Sequence, residues 1–374
     1  MVFLGEKAMN NIHIFENIPD PRAEKNPNKL YTVAQIVFQT IAAVTSGCEH
    51  WTEVEDFGED KREWIGKYVE VGETMPSHDT LSDFFKRLKG DVFRGIFIEW
   101  TRGICQLTDG EVVAIDGKTM RRSHQRSVGK EAIHLISAWA SSNKIVLAQQ
   151  AVDSKSNEIT AIPALLRLLE LKGALVSIDA LGCQHEIAKQ IVDAGADYLL
   201  AVKGNQGQLL EGVQDCFKLQ QVTSTKTTVE KQHGRIETRT CCLITKPTEI
   251  LEIEKWTQLT SVIRIHSKRE ILAAGKTTEE TRYYICSKTL SASEALDSIR
   301  SHWSIENNLH WVLDVAFRED ESRMSSGDSD QNFALIRKIV VNLLAMDKSV
   351  KMSVQRKRLK AARNDIFRER LLRI

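Results

Sequence analysis

The chain has 374 residues, of which 42% are hydrophobic and 27% are charged. At roughly 150 residues per domain, this length predicts two or three domains, and the composition excludes a disordered or fibrous protein. The net charge of +1 argues against a nucleic-acid-binding protein that depends on bulk positive charge. The seven cysteines, an odd number without a C-x-x-C pair, indicate neither a disulfide framework nor a zinc knuckle.

A membrane or secreted protein is not expected. The longest apolar stretch, residues 334–346, is interrupted by Arg337 and Lys338 and is shorter than the roughly 20 apolar residues of a membrane span. The first residues lack the basic and apolar regions of a secretory signal. We therefore expect a cytoplasmic protein.

Residues 1–105 are predicted to form a helical N-terminal module. A lead-in rich in proline and asparagine covers 19–29, and apolar residues then recur at helical spacing from Val33 to Gly47. Ser77 is a predicted N-cap for a second amphipathic helix. Two helices around this turn are compatible with a DNA-reading helix-turn-helix, and a module that serves packing alone is the other interpretation.

Residues 106–221 predict the first part of an α/β core. Strands are expected at 111–116, 132–140 and 144–152, then a helix, a strand at 174–179, a helix at 186–194 and a strand at 197–202. This βββαβαβ order predicts helices packed on a central mixed sheet.

Residues 222–287 predict a β-rich insertion, with strands at 225–231, 236–245, 261–266 and 281–286. A helical pattern resumes at Ser291, which has capping-box spacing to Glu294. Residues 288–346 therefore complete the core with helices, and they carry Glu306.

Two carboxylates mark a candidate site. Asp116 and Asp179 each end an apolar strand, where a charge is costly unless something compensates it. Carboxylates brought together repel one another, and a cation such as Mg²⁺ or Mn²⁺ would relieve the repulsion. Glu306 is the candidate third ligand, and two such ions support in-line phosphoryl displacement. For either aspartate alone, a turn or helix cap is the simpler interpretation.

Other catalytic motifs are absent from the sequence. Gly117-Lys118-Thr119 is not the end of a P-loop, because Val112 occupies the position of the required first glycine. The chain also lacks H-E-x-x-H and G-x-S-x-G patterns. A nucleoside triphosphatase, a zinc protease and a serine hydrolase are therefore not expected.

Five segments carry a family resemblance. They are Val113-Ala-Ile-Asp116-Gly-Lys-Thr, Val176-Ser-Ile-Asp179-Ala-Leu-Gly-Cys-Gln184, Val202-Lys-Gly-Asn-Gln206, His233-Gly-Arg-Ile-Glu237-Thr-Arg239 and His302-Trp-Ser-Ile-Glu306-Asn. With these segments the chain resembles the DDE transposases of bacterial insertion sequences, and more closely the H-repeat-associated proteins, nearly from end to end.

The resemblance implies a ribonuclease-H-like catalytic core, split by the insertion between the second aspartate and the glutamate. It implies that Asp116, Asp179 and Glu306 bind Mg²⁺ or Mn²⁺, which activates water to nick double-stranded DNA at terminal inverted repeats. The freed 3′-hydroxyl then attacks target DNA. A dimer is implied at synapsis, where two element ends meet.

One departure from the family pattern keeps two alternatives open. Many insertion-sequence transposases place Tyr, Arg and Lys around the glutamate, where this chain has Ile299, His302 and Leu313. A catalytically decayed or domesticated DNA-binding protein is one alternative. A structure-specific nuclease on the same fold is the other.

Polar and basic residues near these motifs are candidate DNA contacts, since Arg and Lys neutralise phosphates. The candidates are Lys118, Lys203, Asn205, Gln206, His233, Arg235, Arg239, Arg300, His302 and Trp303. Solvated polar residues at turns are the competing interpretation.

Residues 347–374 form a basic C-terminal tail. From Lys348 onward, ten Lys or Arg residues face only Asp365 and Glu369, a local charge of +8 that leaves −7 for the rest of the chain. Such a tail is predicted either to follow a DNA backbone or to present a solvated helix face.

Overall fold

The structure, a computed structural model, describes residues 17–22, 29–124, 131–152, 158–232, 234–273 and 275–374. Residues 1–16 of the predicted N-terminal module, part of the lead-in at 23–28, and His233 lie outside these ranges.

The N-terminal module is helical, as predicted. Its helices are α1 (Val33–Thr45), α2 (Trp51–Asp60), α3 (Arg62–Ile65), α4 (His78–Arg87) and α5 (Gly90–Ile104). The Ser77 hydroxyl accepts a hydrogen bond from the Thr80 amide and caps α4, which confirms the predicted cap. Every residue of α1 from Gln35 to Thr45 is buried, so this helix forms the centre of the module.

The predicted α/β core is confirmed. Its elements are β1 (Val112–Thr119), β2 (His134–Ala140), β3 (Ile145–Val152), α6 (Glu158–Leu166), β4 (Leu175–Ile178), α7 (His185–Asp193), β5 (Asp197–Val202) and α8 (Gly207–Leu219). The strands lie in the order β3-β2-β1-β4-β5. β1, β4 and β5 are parallel, and β2 is antiparallel to both β1 and β3. This mixed sheet is the ribonuclease-H-like arrangement that the resemblance implies.

The four inserted strands extend the core sheet. They are β6 (Ser224–Gln232), β7 (Arg235–Thr245), β8 (Ser261–Ile271) and β9 (Lys276–Cys286). β9 pairs with the free edge of β5, matching Leu199 with Cys286 and Val202 with Tyr283. The result is one nine-stranded sheet. Because an uncovered β5 edge would leave backbone donors and acceptors unpaired, the insertion completes the core.

The helices after the insertion return to the core. They are α9 (Ala292–His302), a π-helical segment (Glu306–His310), α10 (Trp311–Ala316), α11 (Ser329–Met346), α12 (Val354–Arg363) and α13 (Asp365–Leu372). Ser291 and Glu294 form the predicted capping box of α9. α11 is buried along most of its length, between β3 and the N-terminal helices. Within the described ranges, no helix is long and apolar enough to span a membrane.

The basic tail is partly internal, so neither a DNA-backbone contact nor a solvated helix face describes three of its ten basic residues. Helices α12 and α13 pack against α1, and Lys357, Arg358 and Arg368 are buried. Arg358 donates to the Val44 carbonyl at 2.8 Å and pairs with Glu49 at 2.6 Å. Arg358 and Arg368 join α12 and α13 to the N-terminal module, Arg368 by stacking on Phe57 and Trp64. Lys357 instead binds the carbonyls of Leu344 and Asp347.

We predict that Arg358→Met destabilises the fold by about 3 kcal/mol, since the substitution leaves Glu49 and backbone carbonyls buried without their partner. Urea unfolding followed by tryptophan fluorescence measures this loss. Arg356→Met, at an exposed position of the same helix, is the matched control and should cost less than about 0.5 kcal/mol. Equal unfolding midpoints for the two variants would contradict a structural role for Arg358.

Candidate active site

Asp116, Asp179 and Glu306 line one cavity of about 400 Å³. β1 and β4 run parallel, and Ile115 is paired with Ile178. Asp116 and Asp179 are the residues that directly follow this pair. Glu306 begins the π-helical segment after α9. Three elements that are distant in sequence thus bring the three predicted carboxylates to one cavity.

The cavity disfavours negative charge. Burial raises the pKa of Asp116 to about 7, with further contributions from the charges of Glu306, Asp179 and Glu158, while a hydrogen bond from the Gly117 amide acts against the rise. Burial also raises the pKa of Asp179, and Glu158 adds to the effect. A nearby cation would therefore stabilise the ionised form of both aspartates.

Glu158 is a site residue that sequence reasoning missed. Its charge acts on both aspartates, and its Oε1 lies 2.5 Å from Nε2 of His134. A Cβ at Gly117 would stand 2.5 Å from that same Oε1, so glycine permits the close approach. An acidic residue in the first turn of a helix is common for electrostatic reasons alone, and nothing in the local pattern distinguished Glu158.

His310 is a second residue that sequence reasoning missed. Its Nδ1 lies 3.4 Å from Oδ2 of Asp116, while the Gly117 amide donates to the other carboxylate oxygen at 2.9 Å. Burial lowers the pKa of His310 to about 4, so the imidazole is neutral at physiological pH. The Gly117 amide and His310 thus orient the Asp116 carboxylate, but the neutral histidine does not balance its negative charge.

The donor chemistry of the cavity suits a hard divalent cation. Carboxylate oxygens are the ligands that Mg²⁺ and Mn²⁺ prefer, and a cation would relieve the repulsion among Asp116, Asp179 and Glu306. As placed in the described part of the chain, no three His, Cys, Asp or Glu side chains are grouped closely enough to hold a metal ion. The case for a divalent cation therefore rests on the chemistry of these carboxylate ligands and on their mutual repulsion.

The predicted DNA contacts lie in four different settings, of which the carboxylate cavity and the loop after β5 are the first two. Lys203, His302 and Trp303 line the carboxylate cavity. The side-chain amides of Asn205 and Gln206 instead donate to the carbonyls of Ala180 and Cys183 at 2.7 and 2.9 Å. These two amides tie the loop after β5 to the turn that follows Asp179.

Lys118, also a predicted DNA contact, lies inside an ion-pair cluster. Its side chain is only 13% exposed, and its Nζ lies 2.7 Å from Oε2 of Glu319. Nζ also binds Asp314 and lies 3.7 Å from Asp320. The Lys118 ammonium group is thus paired with internal carboxylates instead of facing solvent.

An arginine-lined groove adjoins the carboxylate cavity. This second cavity, of about 380 Å³, is lined by Arg235, Arg239, Arg269, Arg282 and Arg300. It shares Arg282, Tyr284, Ile299 and Trp303 with the first cavity. Arg269 and Arg282 were not among the predicted contacts, because neither lies in a segment that carries the resemblance.

Glutamates hold the groove arginines in place. Glu237 binds Arg239 at 2.7 Å and Arg269 at 3.1 Å. Glu230 pairs with Arg300 and Glu280 with Arg282. Five arginines thus face three glutamates, which leaves the groove with an excess of positive charge. The Arg282 guanidinium also lies 4.4 Å from the centre of the Trp303 ring, and Trp303 is 37% exposed.

The positions that depart from the family pattern have packing roles here. Ile299 is 5% and Leu313 1% exposed, and each belongs to an apolar core cluster. Burial lowers the pKa of His302 to about 4, so it does not supply the charge of the usual arginine.

We predict that Asp116→Asn stabilises the metal-free protein at alkaline pH. The pKa of this carboxyl is about 7 in the folded chain and about 4 when it is exposed, so the wild type loses stability as the pH rises from about 4 to 7. The variant has no such loss, and its gain of about 2–4 kcal/mol is complete above about pH 7. Melting temperatures recorded with a chelator from acid to alkaline pH measure the difference. A gain that does not depend on pH would contradict the raised pKa.

Comparison with known proteins gives consistent matches. The sequence matches a family described as "Transposase DDE domain" over residues 107–343 and one described as "DDE_Tnp_1-associated" over residues 12–101. "Putative transposase YncI" of Escherichia coli O157:H7 is 42% identical over 95% of this chain and 92% of its own length. "H repeat-associated putative transposase YhhI" of E. coli K12 is 39% identical over 96% and 95%. A piggyBac transposase synaptic complex with hairpin DNA superposes with a TM-score of 0.45 at 11% identity, covering 99% of this chain and 79% of that one.

Proposed function

The chain belongs to the H-repeat-associated branch of the DDE transposases, and we propose that it cleaves double-stranded DNA at the ends of an insertion sequence and joins them to target DNA. Asp116, Asp179 and Glu306 are its proposed catalytic carboxylates. The observation that carries the proposal is their convergence on one cavity from β1, β4 and the π-helical segment.

Asp116, Asp179 and Glu306 would hold Mg²⁺ or Mn²⁺. When bound, such a cation supplies activation of the attacking oxygen and stabilisation of the leaving oxygen. The chain's own contribution is orientation. The amides of Gly117 and Leu181 donate to one oxygen of each aspartate at 2.9 and 3.0 Å, and His310 Nδ1 lies 3.4 Å from the other oxygen of Asp116. These contacts would orient the carboxylates that hold the cation.

The arginine-lined groove is the proposed path of DNA into the site. Guanidinium groups bind phosphates through paired hydrogen bonds, and the groove opens into the carboxylate cavity beside Arg282 and Trp303. Lys203 is exposed at the same cavity and gives a further phosphate contact. The proposed partners are terminal inverted repeats and target DNA, with two chains at synapsis.

A DNA-binding protein without catalysis is the second candidate. The observation that favours it is the burial of Ile299 and Leu313 at positions where related transposases carry polar side chains. Such a protein would bind inverted repeats and leave them uncut. A nuclease on the same fold would hydrolyse DNA without producing joined products.

We predict that Asp116→Asn, Asp179→Asn and Glu306→Gln each reduce DNA cleavage to background, because each removes a proposed cation ligand. The assay uses Mg²⁺ and DNA that flanks the coding region, and it follows nicked and joined products. Glu170→Gln, at an exposed position outside the cavity, is the control and should cleave normally. Retained cleavage in any one of the three variants would remove that residue from the catalytic set.

We predict that Arg269→Gln and Arg282→Gln weaken DNA binding uniformly across sequences and each reduce the salt dependence of the affinity by about one charge. Fluorescence anisotropy over a series of salt concentrations measures both quantities. Arg102→Gln, which removes a side chain that binds the Leu168 carbonyl outside the groove, should leave the slope unchanged. An equal effect of all three substitutions would show that the groove has no special role.

A further inference from the structure

A row of polar side chains faces the strand that carries Asp116. His302, Glu306, His310 and Asp314 recur every four residues. The first two line the carboxylate cavity, His310 contacts Asp116 and Asp314 binds Lys118. One side of this helical stretch therefore faces β1 for three successive turns.

The π-helical segment keeps this row aligned. In an α-helix, residues four apart drift around the axis by about 40° per step. The π turn at Glu306–His310, closed by a hydrogen bond from the Trp311 amide to the Glu306 carbonyl, holds more residues per turn and offsets the drift. Glu306 and His310 can thus face the same strand.

The strand presents a matching pair. Asp116 and Lys118 are two residues apart in β1, so their side chains lie on the same face of the sheet. Two contacts therefore join strand and helix, His310 with Asp116 and Asp314 with Lys118. They fix both the rotation of the helical segment and its position along β1.

Lys118 makes most of the ion pairs where the helical segment meets β1. An ammonium group has three donors, and here it faces Asp314, Glu319 and Asp320. The Glu319 side chain is only 1% exposed. Burial would raise the pKa of Glu319, but Lys338 and Lys118 lower it to about 2, so this partner is ionised. Glu319 follows α10 in the chain, and breaking its buried ion pair with Lys118 would leave a buried charge without a partner. The pair therefore favours one position of the end of α10 against β1.

We propose that Lys118 is a positioning residue for the catalytic carboxylates: by binding Asp314 and Glu319, it holds the helical segment 306–316 against β1 and so sets Glu306 relative to Asp116. This inference rests on the proposed function for its catalytic consequence. The contact itself is independent of DNA and metal. Lys118 acts through the helix and has no direct role in binding DNA.

The test compares Lys118→Met with Lys357→Met. Lys357 is a matched control, because its side chain is also buried, at 8% exposure, and pairs with Asp347 at 3.4 Å. Its ammonium group also binds the carbonyls of Leu344 and Asp347, so these partners lie outside segment 306–316. Hydrogen exchange of peptides covering 306–316 is measured by mass spectrometry without DNA or metal. We expect faster exchange in this segment for Lys118→Met and wild-type exchange for Lys357→Met.

The catalytic arm measures cleavage at saturating DNA and Mn²⁺ together with the Kd for DNA. We expect Lys118→Met to slow cleavage about 10- to 100-fold, the range for residues that orient metal ligands, with the Kd unchanged. Lys118→Arg should recover part of the rate, because a cation again lies among the three carboxylates. Asp314→Asn, which is milder because its side chain is 34% exposed, should show the same pattern if Lys118→Met fails to fold.

Unchanged exchange at 306–316 in Lys118→Met and Asp314→Asn would overturn the positioning role. A loss of DNA affinity with a normal rate at saturation would also overturn it, in favour of a direct phosphate contact. Failure of the wild-type protein to cleave DNA would instead count against the proposed function, and the exchange comparison would still decide the role of Lys118.

Discussion

The meeting of Asp116 and Asp179 at the ends of two adjacent parallel strands is the constraint on which the rest of the site depends. Because Ile115 and Ile178 are paired, the two carboxylates cannot separate without breaking the sheet. Burial raises the pKa of both, and the charges of neighbouring carboxylates add to the rise, Glu306 and Asp179 for Asp116 and Glu158 for Asp179. A fold that keeps such a pair together has an anionic site that gains free energy when a cation binds.

Among the cations near that site, Lys203 lines the cavity and lowers the pKa of Asp179, whereas most of the others are paired with other groups. Lys118, the nearest lysine in sequence, is occupied by Asp314 and Glu319. Four of the five groove arginines pair with glutamates, and His310 is neutral at physiological pH. This separation of charge suits a protein that must attract a cation to one cavity and phosphates to the next.

Local patterns were sufficient to predict the strands, the caps at Ser77 and Ser291, and the two aspartates, because strand runs and capping spacings are short-range signals. Glu306 was a candidate third ligand from its place on a later helix, and the family resemblance then assigned it, since a glutamate on a helix has no distinctive local pattern. The pairing of β9 with β5, and the approach of Glu158 to Asp116, depend on contacts between distant segments. No local pattern reports such contacts.

Charge was the least predictable property of the chain. Lys118 was a candidate DNA contact, and the C-terminal tail was predicted either to follow DNA or to be solvated, yet Lys118, Lys357, Arg358 and Arg368 bind internal partners. A sequence shows how many cations a segment has. Only the packing shows which carboxylates and carbonyls they meet.

The most direct measurement of the central claim is calorimetric titration of the full chain with Mn²⁺, for the wild type, Asp116→Asn, Asp179→Asn and Glu170→Gln. We predict saturable binding in the wild type and in Glu170→Gln, and loss of that binding in both aspartate variants. Equal Mn²⁺ affinity in all four proteins would contradict a cation site built on Asp116 and Asp179.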